Sequence, residues 1–286
     1  MKSAAGNESA LEKKFRSYGK LPARVVLVHG GPGAIGSLGS LANCLVERDI
    51  DILEPYQTKF SIFELVFELA EQIDRYAQSP IILIGHSWGA WLSFLYAAKR
   101  SHKICRLVLL GAGPFIENYV HQIQATRMAR LSVNDKERFQ KKLHQLSKTV
   151  GEEQRLIMQD IQELVDQTDN FELIAPKDPI LKFDHQQYNH IWLEAVSLRK
   201  NGTLLANAKT VNCPVIGIHG DYDPHPAEGV SEPLGQVLRN FNMLILPDCG
   251  HSPWLEKNAK IAFLDILEAI IKEAILNSGA DRADVN

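Results

Sequence analysis

The stretch Ile81-Ile82-Leu83-Ile84-Gly85-His86-Ser87-Trp88-Gly89-Ala90 decides how this chain is read. A short apolar run gives way to Gly-x-Ser-x-Gly, and a segment of small and apolar residues follows. A strand turning sharply into a helix would hold Ser87 at the carboxyl edge of a sheet in a strained backbone conformation. Residues two positions to either side of such a turn nearly touch, and Gly85 and Gly89 supply the space. The pentapeptide alone occurs by chance in about one chain in ten of this size, so the flanking chain has to carry the rest.

Upstream, Arg24 to Val28 is apolar and mostly β-branched, as a strand covered on both faces should be. It runs into His29-Gly30-Gly31-Pro32-Gly33, too rich in glycine for regular structure. Leu38, Leu41 and Leu45 mark a helical stripe. Ile50 to Leu53 reads as a short strand stopped by Glu54-Pro55. Ser61-x-x-Glu64 is a capping box that opens an amphipathic helix through Tyr76. Beyond Ser87 a helix extends to about Lys99, and Leu107 to Leu110 is another buried strand. Strands separated by helices form a parallel sheet with helices on both faces, so the fold class is α/β. Met1 to Leu21 is expected to be a frayed leader with a short helical piece around Leu11 to Phe15.

The alternation stops between Glu117 and Gly202, where no strand is evident. Phe139, Leu143, Leu146 and Val150 lie at helical spacing, with Asn134 and Glu137 placed to cap that helix. Ile157, Ile161, Leu164 and Val165 mark a second helix, and Ile191 to Leu198 a third. Strands resume at Val215 to Ile218 and Met243 to Leu246, followed by a helix from Ala259 to Leu276 and a polar tail. A helical block inside a resumed sheet is expected to be an inserted cap: residues 1–114 and 205–286 form the core, 115–204 the cap.

The bulk numbers narrow the function classes. The 286 residues suit one large domain, or one domain carrying an insert. A net charge of −3 supplies no basic field for nucleic acid or for an anionic membrane. No apolar run approaches the roughly 20 residues of a membrane helix, and the start lacks the apolar core of a secretory signal. Cys44, Cys105, Cys213 and Cys249 lie far apart, so reduced thiols in a cytoplasmic protein are expected.

In open α/β sheets ligands sit beyond the carboxyl ends of the strands. Four post-strand loops therefore converge: the glycine loop, the Ser87 turn, His219-Gly220-Asp221-Tyr222-Asp223-Pro224, and Cys249-Gly250-His251-Ser252-Pro253-Trp254. A serine hydroxyl needs a base to take its proton, an imidazole does so near neutral pH, and a carboxylate holds the imidazole in the right tautomer. Ser87, His251 and either Asp223 or Asp221 supply those types. Backbone N–H groups of Trp88 and of Gly31 are placed to stabilise a developing oxyanion. His86 and His29 are expected to support backbone, and Glu54 to be a partly exposed loop carboxylate. His219, His225 and Asp223 lack a regular ligand spacing, so no metal is expected, and no cofactor.

With these residues in place the chain resembles the α/β-hydrolase superfamily, over roughly Arg24 to Pro114 and Val211 to Leu276, with the helical block where that family carries its lid. His-Gly-Gly-Pro-Gly and Gly-x-Ser-Trp-Gly resemble the proline iminopeptidase branch. The resemblance implies Ser87 as nucleophile, Asp223 as acid, His251 as base, and Gly31 with Trp88 as oxyanion donors. The family's spacing selects Asp223 over Asp221, and Pro224 favours the same choice by extending the residue before it. Three features depart from the branch: Gly-His-Ser in place of Gly-Gly-Ser, Glu54-Pro55-Tyr56-Gln57-Thr58 in place of a glycine-rich stretch, and no strand evident before Arg24, which suggests a shortened sheet. The expectation is a serine hydrolase acting on a small ester or amide, as an esterase or an aminopeptidase, with a small-molecule or short-peptide substrate. A C–C bond hydrolase and a non-catalytic binding protein are the alternatives. Glu152, Glu153, Glu163 and Asp166 are candidates for gripping a substrate amine, and Tyr188, His190 and Trp192 for lining a pocket.

Overall fold

Val25, Val26 and Leu27 show how the sheet is built, because successive strand residues point to opposite faces. Val26 packs with Leu65, Leu69, Ile73 and Phe94, while Val25 and Leu27 pack with Leu41, Leu45, Phe263 and Leu267. Both faces of the strand are thus covered by helices. The computed structural model describes residues 14–280, apart from 147, 150, 182 and 183.

In chain order the elements are β1 (Phe15–Tyr18), β2 (Ala23–Val28), α1 (Gly39–Val46), β3 (Ile52–Pro55), α2 (Ile62–Tyr76), β4 (Ala77–His86), α3 (Trp88–Arg100) and β5 (Ile104–Leu110). Four longer helices follow, α4 (Val120–Arg130), α5 (Val133–Leu146), α6 (Gly151–Asp169) and α7 (His185–Lys200), then the short α8 (Thr203–Ala206). The chain closes with β6 (Val215–Gly220), α9 (Glu228–Val237), β7 (Phe241–Leu246) and α10 (Lys260–Ala280). The seven strands form one sheet in the order β1-β3-β2-β4-β5-β6-β7. Only β1 runs antiparallel to its neighbour. The carboxyl ends of β2, β4, β5, β6 and β7 therefore share one edge, which gathers the candidate loops.

Ser61 caps α2 as expected: its Oγ accepts from Glu64 N–H at 3.3 Å, while the Glu64 carboxylate takes the Ser61 hydroxyl at 2.8 Å. Several expectations are corrected. Phe15 opens strand β1 rather than closing a helix, so the sheet does have a strand before Arg24; Leu11 lies outside the described residues. Glu54 and Pro55 belong to β3, where β2 pairs only as far as Leu53, so the proline breaks no ladder on that side. Helix α5 is capped by Ser132, whose Oγ accepts from Asp135 N–H at 3.1 Å, not by Asn134 or Glu137. That helix ends at Leu146, and Val150 lies outside the described residues. The last helix continues past Leu276 to Ala280. Helix α4 carries little periodic signal and buries no residue fully, and α9 contains Pro233, which speaks against a helix in the sequence. Between β5 and β6, among the described residues, the only bridge is Leu173 to Glu256.

Candidate active site

Ser87 stands where β4 becomes α3, with φ +55° and ψ −120°. A side-chain-bearing residue pays for positive φ, and such strain persists only where the surroundings enforce it. They do so here. A Cβ on Gly85 would overlap Gly89 O, and one on Gly89 would overlap Val28 O. Ser87 N–H donates to Leu110 O at 2.9 Å, tying the turn to the end of β5. The residue is half-buried, and its backbone is locked by these contacts.

Asp223 and His251 meet from the loops after β6 and β7. His251 Nδ1–H donates to Asp223 Oδ2 at 2.6 Å, which leaves Nε2 as the proton-accepting nitrogen. Burial pushes the Asp223 carboxyl upward, but the surrounding rings of His251, His225 and His219 hold it well below the usual carboxylate range. It is a carboxylate at neutral pH. Asp221, the rival, accepts from Cys249 N–H at 3.2 Å and serves the loop instead. Gly111, just past Leu110, lies against both partners: a Cβ there would sit 3.2 Å from His251 Nδ1 and 3.4 Å from Asp223 Oδ2. Ser87 and His251 thus share the end of β5, although Ser87 Oγ makes no hydrogen bond to the ring.

The glycine loop packs directly on the serine. A Cβ on Gly30 would come within 3.2 Å of Ser87 Cβ, and Gly31 has φ +114°. Trp88 N–H is the first of α3, a position with no acceptor within the helix. Buried His29 donates from Nδ1 to Gly30 O at 3.0 Å, and burial lowers its pKa to about 4. His86 donates from Nε2 to His251 O at 2.9 Å, so it supports the His251 backbone; burial and the neighbouring His251 ring hold it well below the ordinary histidine value.

Gln57 was not legible as a site residue. Its Nε2 donates to His29 O at 2.9 Å and its Oε1 accepts from Trp88 Nε1–H at 2.8 Å, joining the glycine loop to the start of α3. Gln187 of α7 in turn donates to Gln57 O at 2.9 Å. Glu54 is corrected: it is buried in β3, accepts from Tyr18 O–H at 3.1 Å and Gly36 N–H at 3.2 Å, and burial raises its pKa.

The helical segment reaches the loop that carries His251. Asp169 O accepts His251 N–H at 2.7 Å, and the Asp169 carboxylate receives two hydrogen bonds from Arg127, at 2.8 and 2.5 Å. Buried Glu256 accepts from Gly250, Phe171 and Glu172 N–H at 2.9, 2.9 and 2.7 Å. Of the acidic candidates, exposed Glu152 pairs with Arg155 and exposed Glu163 lies 3.6 Å from Arg138, half-buried Asp166 pairs with Lys177, and Glu153 is exposed. Trp192 stacks with Trp91 and with Tyr188 at ring distances of 6.4 and 6.2 Å, and His190 meets Phe60 edge-on.

Asp223, His225 and His251 offer ligand atoms within 4.8 Å of one another, a set with the chemistry to hold a cation. Both rings already donate from Nδ1 to the carboxylate, at 2.7 and 2.6 Å, so a cation held through those nitrogens would have to displace both protons. The four cysteines are free thiols, and burial pushes Cys213 up to about 11. No helix among the described residues is long and apolar enough to cross a membrane.

A strained serine at a strand–helix turn, over a sheet edge that also presents a bonded Asp–His pair, defines the architecture of an α/β hydrolase. The chain belongs to the alpha/beta hydrolase fold family, whose model matches residues 23–258. Similar solved structures include VinJ (17% identity, 91% of this chain and 94% of that one, TM-score 0.64). Two others are a proline iminopeptidase of Mycobacterium smegmatis (13%, 92% and 95%, 0.62) and a putative lipase, lip1, of Acinetobacter baumannii (16%, 92% and 88%, 0.60). At such identities the likeness is one of fold. No curated protein matches the sequence.

Proposed function

We propose that this protein is a serine hydrolase that cleaves a small carboxyl ester or amide through an acyl-enzyme. The observation that carries the reading is the pairing of Ser87 at positive φ with the 2.6 Å Asp223–His251 bond on the same sheet edge. His251 Nε2 takes the Ser87 proton as Oγ attacks the carbonyl carbon, and Gly31 and Trp88 N–H groups stabilise the oxyanion. The proton passes to the leaving oxygen or nitrogen as that bond breaks. His251 takes a proton from water as the water attacks the acyl-serine, and passes it to Ser87 Oγ as the acyl bond breaks and the acid leaves. Residues 115–204 act as the cap over this cleft. Among ester and amide, the ester is favoured because Glu152, Glu163 and Asp166 each face a cation of this chain and Glu153 is exposed, so none is set aside for a substrate ammonium.

The test is fluorophosphonate labelling of the wild type and of Ser87→Ala, followed by turnover of short-chain aryl esters and aminoacyl arylamides. The wild type should label and Ser87→Ala should not, with ester turnover falling by several powers of ten. Equal labelling of the two would overturn the reading, and arylamide turnover above ester turnover would move it to the aminopeptidase branch.

A further inference from the structure

Asp223 is held by more than the base it serves. A carboxylate bonded through one oxygen can rotate about Cβ–Cγ, and rotation would carry Oδ2 away from His251. The other oxygen, Oδ1, is fixed twice by one residue: His225 donates to it from its backbone N–H at 2.9 Å and from ring Nδ1–H at 2.7 Å. The turn that carries His225 is fixed as well, since His219 Nε2–H donates to His225 O at 2.6 Å and lies 3.5 Å from Asp223 Oδ2. The His225 and His251 rings stand 4.7 Å apart at 31°, on the two oxygens of one buried carboxylate. Because a carboxylate only accepts, both rings must carry their proton on Nδ1.

We infer that His225 is a positioning residue of the site: its ring and backbone lock Oδ1 of Asp223 so that Oδ2 stays on His251 Nδ1. The inference rests on the hydrolase reading above for its catalytic meaning. Burial, which lowers the pKa of His225, agrees with a neutral donor that adds no second cation beside the imidazolium formed during reaction. Asparagine at this position keeps a short-armed N–H donor, whereas leucine keeps bulk and removes the donor.

The experiment compares the fluorophosphonate labelling rate of wild type, His225→Leu and His225→Asn, with the Tm of each and low-field proton NMR of the wild type and the Asn variant. The leucine variant should label about tenfold to a hundredfold more slowly, the range expected for one hydrogen bond to a charged group, and the asparagine variant should recover most of that loss. Among the low-field imidazole N–H resonances of the wild type, those of His225 and His251 should both be present, and the asparagine variant should lose the His225 one. A leucine variant that labels at the wild-type rate, or a low-field spectrum unchanged in the asparagine variant, overturns the inference. If the leucine variant does not fold, the resonances decide. A wild type that takes up no probe sinks the hydrolase reading, while the resonances still report whether His225 holds the carboxylate.

Discussion

Asp221 and Asp223 stand two positions apart in one loop, yet the structure gives them different work. Asp223 is buried against three imidazoles, while Asp221 accepts one backbone N–H from the loop that carries His251. Asp223→Asn keeps the shape but turns a carboxylate into a group that offers His251 the wrong hydrogen-bond pattern. Its expected cost is a loss of about a thousandfold to ten-thousandfold in kcat. Asp221→Asn keeps an oxygen for Cys249 N–H and should cost less than about tenfold, the scale of one neutral hydrogen bond. Steady-state kinetics on an aryl ester with both variants checks the assignment; the opposite ranking would hand the role to Asp221. The choice between them was legible only through Pro224 and family spacing, because burial is a property of the assembled loops.

At the scale of elements, the segment after α6 is stitched to the His251 loop by Glu256. One carboxylate satisfies Gly250 N–H on the His251 side and Phe171 and Glu172 N–H on the other. Ile174 N–H to Leu255 O and Lys257 N–H to Glu172 O, at 2.9 and 2.8 Å, continue the seam. Glu256→Ala leaves the buried Gly250 N–H without an acceptor, at about 1–3 kcal/mol. At about 2–4 °C per kcal/mol for a domain near this size, Tm should fall by several degrees. Hydrogen exchange should quicken at Phe171, Glu172 and Gly250 and stay unchanged in β4; uniform quickening would mean the carboxylate stabilises the whole fold rather than the seam. This seam had no signature in the sequence. The apolar runs of β2, β4, β5 and β6, the glycine spacing around Ser87 and the Ser61 capping box are local patterns, and each was readable. Glu256, Gln57 and Arg127 act on residues that are far away in sequence, so their roles appear only once the loops are placed. His225 was visible as a histidine beside an acid; that both its donors reach the same oxygen is set by the turn.

For the molecule as a whole, the histidines that shape the site also set its response to acid. His29 is buried, donates from Nδ1 to Gly30 O, and has no partner for a proton on Nε2 among the described residues. Burial lowers its pKa from 6.5 to about 4, so the folded chain keeps the ring neutral while the unfolded chain protonates it. Between those values the unfolded state binds more protons, and stability therefore falls as pH drops. The contribution is fully present above about 6.5 and lost by about 4, on the order of 3 kcal/mol. His86 and His225, also lowered chiefly by burial, act in the same direction. Glu54, raised by burial, opposes them, because folding favours its proton. Asp223 and Asp169 are depressed carboxylates, so their stabilisation is present above about pH 4 and is lost only below it. A difference measurement isolates His29 from these overlapping slopes. His29→Asn retains a donor for Gly30 O but cannot titrate, so urea unfolding of wild type and variant from pH 7 to pH 4 should give diverging curves. The wild type should lose about 3 kcal/mol more than the variant across that range; parallel curves would show that the ring takes up its proton in the folded chain as readily as in water.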